Sequence, residues 1–254
     1  MTIKVNMKAI NPNESKDLIK KNRDHSKKGI RRAGRAAICS ALVLGLLSGL
    51  TACGEKKPTE RERYRERGIS YIGEGRYMDA IVSLENALHH SNGLVGKMDY
   101  DISYYLALAE YKSGNKSEAR NIYSAIIEMD DRQADAFYLR GKVNLLDNKL
   151  DEALADYNRA VDIDKYDHLL YERIYKDLSS QGYENEAKSY ITLAQEKNSR
   201  LSDYQKGVYA YYLGNYDEAR GIFEKERGKN DNAQVTAYLG KTYSKLGDDS
   251  YAAT

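Results

Sequence analysis

Beyond residue 60 the chain sets small and apolar positions into a polar background in a frame that repeats. Its core is Gly-x-x-x-x-Ala: GRYMDA at Gly75–Ala80, GNKSEA at Gly114–Ala119, GYENEA at Gly182–Ala187, GNYDEA at Gly214–Ala219 and GDDSYA at Gly247–Ala252, with the variant NKLDEA at Asn148–Ala153. Successive starts lie 39, 34, 34, 32 and 33 residues apart. Seven residues before the turn stands a small residue in most copies (Gly68, Ala107, Gly141, Gly207, Gly240), and seven after the Ala stands another in several (Ala87, Ala160, Ala194). Between them falls an apolar or aromatic residue: Leu84, Tyr123, Tyr157, Ile191, Phe223. The pattern predicts a helix, a tight turn and a second helix in each copy. Small residues let the two helices approach closely, and Gly or Asn at the turn takes the positive φ that ends the first helix. No such unit can bury its apolar face alone, so the copies must stack.

This frame resembles the tetratricopeptide repeat (TPR), a helix–turn–helix unit of about 34 residues. The resemblance covers nearly everything after residue 60. It implies an all-α fold, a right-handed TPR α-solenoid of five full helix–turn–helix repeats plus a partial C-terminal repeat. The expected repeats are 61–94, 100–133, 134–167, 168–199, 200–232 and 233–254. Several positions depart from the pattern. Arg67 replaces an apolar residue, and five extra residues follow the first repeat around Ser91–Lys97, which reads as a longer loop. Tyr175 takes the small position of repeat four, so that helix pair must loosen or shift, and Glu226 replaces an Ala. The last helix, expected over Gln234–Leu246, carries Thr236, Lys241, Thr242, Ser244 and Lys245. Such a polar face suits either a solenoid cap or a chain cut short.

The first 52 residues follow a different logic. Met1–Ile38 holds eleven basic and three acidic residues, and Ala36–Gly54 (AAICSALVLGLLSGLTACG) holds no charge. A basic lead, a short apolar run and small residues form an export signal. Its end, Leu50-Thr51-Ala52-Cys53, resembles the bacterial lipobox. That resemblance implies signal-peptidase recognition through Leu50, Thr51 and Ala52, and lipidation of Cys53 with acyl chains such as palmitate. Residues 1–52 would then be a signal peptide with a long basic lead, and 53–60 the lipidated Cys and a short tether. An uncleaved transmembrane anchor is the competing reading, because nineteen uncharged residues are marginal for a span of about 20 residues. Either way the excess of Lys and Arg before the apolar run puts the rest outside the cytoplasm. Gly54 is not the Asp that retains lipoproteins at an inner membrane, so an outer membrane is favoured where the host has two; with one membrane, its outer face is expected.

Composition changes this picture in three places. The chain has two prolines, which favours long helices. Its net charge of +2 is the sum of unlike parts. Of 40 basic residues 11 lie before position 39, leaving 29, and of 38 acidic residues 3 do, leaving 35, so the exported part carries −6 and gives no reason to expect nucleic acid as partner. Cys39 and Cys53 are too few for a disulfide framework or a zinc site. The adjacent His89 and His90 cannot form an i,i+4 metal pair, and no HExxH, GxSxG or phosphate-loop motif occurs. No metal, cofactor or catalytic site is expected.

Function is therefore sought on a surface. In TPR proteins the first helix of each repeat lines a concave groove. Matching positions here are Tyr104, Leu108, Tyr111, Tyr138, Lys142, Lys176, Tyr204, Tyr211 and Lys241. Tyrosine offers a rigid face and one hydroxyl, suited to holding a peptide, and lysines can meet carboxylates. The same tyrosines could instead cover the core between repeats. The chaperone-tail clamp known from one TPR subfamily is not matched, since Arg65, Ile69 and Tyr105 stand at its first three positions. The expectation is a membrane-anchored, non-catalytic scaffold of the bacterial cell envelope binding a protein or peptide partner; the alternative is an accessory protein binding an envelope glycan or small ligand in the same groove. The sequence leaves oligomeric state and partner identity open.

Overall fold

The computed structural model describes residues 57–91, 93–198, 200–229 and 232–248. The expected export signal, with Leu50, Thr51, Ala52 and Cys53, lies outside the described residues. Among the described residues all regular structure is helical. The helices are α1 (Glu60–Gly73), α2 (Tyr77–His89), α3 (Lys97–Ser113), α4 (Lys116–Met129), α5 (Ala134–Leu145), α6 (Leu150–Ile163), α7 (His168–Ser180), α8 (Glu184–Lys197), α9 (Asp203–Leu213), α10 (Tyr216–Lys229) and α11 (Ala233–Leu246). No helix among them is long and apolar enough to cross a membrane.

Local chemistry sets the helix ends. Ahead of α1, Thr59 Oγ1 accepts from the Glu62 amide at 3.2 Å while Glu62 accepts from the Thr59 amide at 2.7 Å. Ser202 and Gln205 form the same reciprocal cap on α9. At the repeated turn every residue has positive φ, from 57° at Asn148 to 100° at Gly114. Asn148 accepts this conformation because its short polar side chain tolerates the left-handed region.

The chain forms two compact units that divide after Asp131. In the first, α1 packs on α2 and α3, and α3 packs on α2 and α4. Leu84, Ile102, Leu106, Tyr123 and Ile126 form its core. A Cβ at Gly68 would come within 2.5 Å of Leu84, so only glycine permits this α1–α2 approach. Arg61 pairs with Asp99 and Arg65 with Asp101, tying α1 to α3. Glu110 is buried in α3, where the Asn115 side chain donates to it.

In the second unit each helix from α5 to α11 packs on the next, and α5 also meets α7, as α9 meets α11. Its core holds Tyr157, Tyr171, Ile174, Ile191, Tyr209, Phe223 and Leu239. A Cβ at Gly141 would lie 3.0 Å from both the Tyr157 ring and the Ala153 carbonyl oxygen. Arg140 grips the buried Asp156 with two donors at 2.9 and 2.6 Å, and Asn144 adds a third at 3.3 Å. Tyr175, expected to disturb α7 and α8, is accommodated by direction. Its ring turns onto Tyr212 of α9, with centroids 4.3 Å apart, and its hydroxyl lies 3.2 Å from Glu184.

Candidate functional site

The first helices of the repeats carry the candidate residues, and the two units use them differently. In the first unit Leu108 is 1% exposed and fills the core, leaving a partner nothing to touch. Tyr104 and Tyr111 are half-buried, and the Tyr104 ring lies 6.3 Å from that of Tyr123 on α4. Arg65 sits over the Tyr105 ring at 5.6 Å.

In the second unit α5 and α7 are joined by a cluster that includes two expected groove residues. Tyr138 is buried, stacks on Tyr157 at 5.9 Å, and donates its hydroxyl to Asp177 at 2.7 Å. Lys142 pairs with the other oxygen of Asp177 at 3.0 Å. The Arg173 guanidinium covers the Tyr138 ring at 4.5 Å and reaches Asp135 at 3.3 Å. Tyr138 and Lys142 thus hold two repeats together. A partner would have to break those bonds to use them.

Farther along, α7, α9 and α11 present a tyrosine cluster that remains partly open. Tyr204 and Tyr211 are half-buried, as is Tyr238. Tyr211 packs edge-on against Tyr212, Tyr216 and Tyr238 at 6.0, 5.5 and 5.7 Å. Tyr204 meets Phe223 at 6.2 Å and Tyr238 at 6.0 Å. The Tyr212 and Tyr238 hydroxyls share a hydrogen bond of 2.6 Å. Lys176 lies 5.8 Å from the Tyr212 ring and pairs with Glu172 at 3.3 Å, and Lys241 lies 4.9 Å from the Tyr238 ring. Both lysine side chains are exposed.

Burial raises the pKa of Tyr204, Tyr211 and Tyr238, and of Tyr212, where the bond to Tyr238 adds to it. Tyr175 is pushed up to about 12, first by burial and then by Glu184. These hydroxyls stay protonated at neutral pH and act as donors, acceptors and stacking faces. Together with two lysines they can hold an extended chain through aromatic contact and meet carboxylates on it. No group of His, Cys, Asp and Glu among the described residues could hold a metal ion.

The repeat frame selects Tyr204, Tyr211, Lys176 and Lys241 as groove positions but not Tyr175, Tyr212 and Tyr238. Tyr175 was the available signal, since a large ring at a small-residue position must find a partner outside its own helix pair.

A family model for the tetratricopeptide repeat matches residues 65–131 and 106–168. A tetratricopeptide repeat protein from Parabacteroides merdae, of known structure, superposes with a TM-score of 0.52 at 16% identity, covering 76% of each chain. The fold is a TPR solenoid. FK506-binding protein 59 of Drosophila melanogaster is 28% identical over 116 residues, covering 43% of this chain and 26% of that protein. The DnaJ homolog subfamily C member 3 homolog of Dictyostelium discoideum is 23% identical over 176 residues, 68% of this chain and 34% of that protein. The chain thus spans no more than about a third of the curated relatives it matches. Its repeats support a role as a protein–protein interaction scaffold.

Proposed function

We propose that this chain is a membrane-anchored, non-catalytic scaffold of a bacterial cell envelope, holding an extended peptide or protein segment on the α7–α9–α11 face. The observation that carries the reading is the open part of the tyrosine cluster, where half-buried Tyr204, Tyr211 and Tyr238 accompany exposed Lys176, near the Tyr212 ring, and exposed Lys241, near the Tyr238 ring. Anchoring is supported by the basic lead, the uncharged run and Leu50-Thr51-Ala52-Cys53.

Crosslinking pull-down of the mature chain from its native envelope tests the partner. The expected result is a defined protein whose recovery falls at least about tenfold with Tyr211→Ala/Lys241→Ala, the loss of one interfacial anchor, while the helical content by circular dichroism holds. Recovery of cell-wall glycan alone, sensitive to the same substitutions, would reject the scaffold in favour of a ligand-binding accessory role. Cys53→Ala is expected to leave the unprocessed precursor. A variant that keeps the mature mass and membrane fraction would end the lipidation reading.

A further inference from the structure

Leu94 and Val95 stand side by side between α2 and α3 with 75% and 57% of their surfaces exposed. They belong to the longest junction between helix pairs, seven residues from 90 to 96, against three to five at the others. The junction is held at both stems by one carboxylate. Ser91 Oγ donates to Asp99 at 3.1 Å, and the Gly96 amide donates to Asp99 at 2.9 Å. Asp99 in turn pairs with Arg61, whose Nε also donates to the Ala87 carbonyl at 3.2 Å. His90 lies 3.3 Å from Glu60. The apolar tip is thereby fastened to the end of the first unit at which the chain enters α1.

Where that entering chain comes from decides the occupant. Cys53 lies six residues before Thr59, so even a fully extended tether holds Thr59 within about 20 Å of a lipid on Cys53. An anchor on Cys53 would therefore keep the α1 entry, and the tip fastened beside it, within reach of the lipid surface. Lys97, exposed at the start of α3 and two residues after Val95, places positive charge beside the tip, as an anionic lipid surface favours. A lone exposed Leu needs no explanation. Two adjacent apolar residues on the longest junction, fastened to the end at which the chain enters α1, do. We infer that Leu94 and Val95 form a membrane-contacting finger that dips into the lipid headgroup boundary and gives the anchored chain a second point of contact. This deepens the proposed function and rests on anchoring at Cys53.

The chain has no tryptophan, so a single introduced one is a unique reporter. Leu94→Trp and Ser117→Trp are prepared in the lipidated protein and reconstituted into vesicles containing anionic and brominated lipids. Ser117 lies past the far end of α3, about 25 Å from its start. Emission from position 94 should shift to the blue and be quenched, and emission from 117 should do neither. Trp has its own preference for the interface. The probe is therefore repeated as Lys97→Trp, where quenching should be lost on adding Leu94→Ser/Val95→Ser. Equal quenching at 94 and 117, or Lys97→Trp quenching indifferent to the tip, overturns the finger. A blue shift that needs envelope proteins and is absent in pure lipid assigns the tip to a protein and overturns it as well. The mass of the Cys53 peptide reports lipidation separately. If Cys53 proves bare, its thiol is coupled to a maleimide lipid and the same measurement judges the finger, while the native anchor is rejected.

Discussion

Glu110 shows how a buried residue can work against the fold that contains it. Its carboxyl lies inside α3, and burial raises its pKa despite the bond donated by Asn115. A carboxyl whose pKa rises on folding holds its proton more firmly in the folded chain. Stability therefore falls as pH climbs from the ordinary carboxylate range through the raised value. Glu110→Gln keeps an oxygen for Asn115 and removes the charge. It is expected to raise the melting temperature at neutral pH, with the advantage closing below about pH 4, where the free carboxyl is protonated in both states. Thermal melts across that range check both sign and window. The Tyr212–Tyr238 hydroxyl pair gives a second residue-scale expectation. Tyr212→Phe keeps the ring stacked on Tyr175 and removes one shared hydrogen bond, at a cost of about 1 kcal/mol in denaturant unfolding.

Between elements, the contacts that matter are close approaches and buried charge. Gly141→Val would push a branched side chain into the Tyr157 ring and the Ala153 carbonyl, for an expected loss of about 1–3 kcal/mol. Asp156→Ala removes the buried carboxylate that Arg140 and Asn144 grip between α5 and α6 and is expected to cost about 1.5–3 kcal/mol. Adding Arg140→Met should recover a large part of that loss, and urea titration of the three variants measures the coupling. Helix pairs were legible because their markers are local: a turn residue with positive φ, a small residue seven positions earlier, and an Ala where the second helix begins. The open face was less legible. Position along a first helix identified Tyr204 and Tyr211, yet the same rule selected Tyr138 and Leu108, which are buried. What separates them lies on the neighbouring helix. Asp177 and Arg173 enclose Tyr138, and no spacing within one repeat reveals what the next repeat brings.

At the scale of the molecule, the open tyrosine face and the apolar finger belong to different units and make separable demands. Loss of the finger should change membrane contact and leave partner recovery intact. Loss of Tyr211 and Lys241 should do the reverse, which co-sedimentation and pull-down of the same variants can show. Within each unit every helix contacts only helices one or two places away in sequence. The closing of each helix pair therefore needs only a short loop, and contacts of low sequence separation form quickly. A chain delivered end-first and unfolded through a narrow passage can complete one helix pair before the next has emerged. Pairing only with sequence neighbours makes assembly independent of the order in which distant parts arrive.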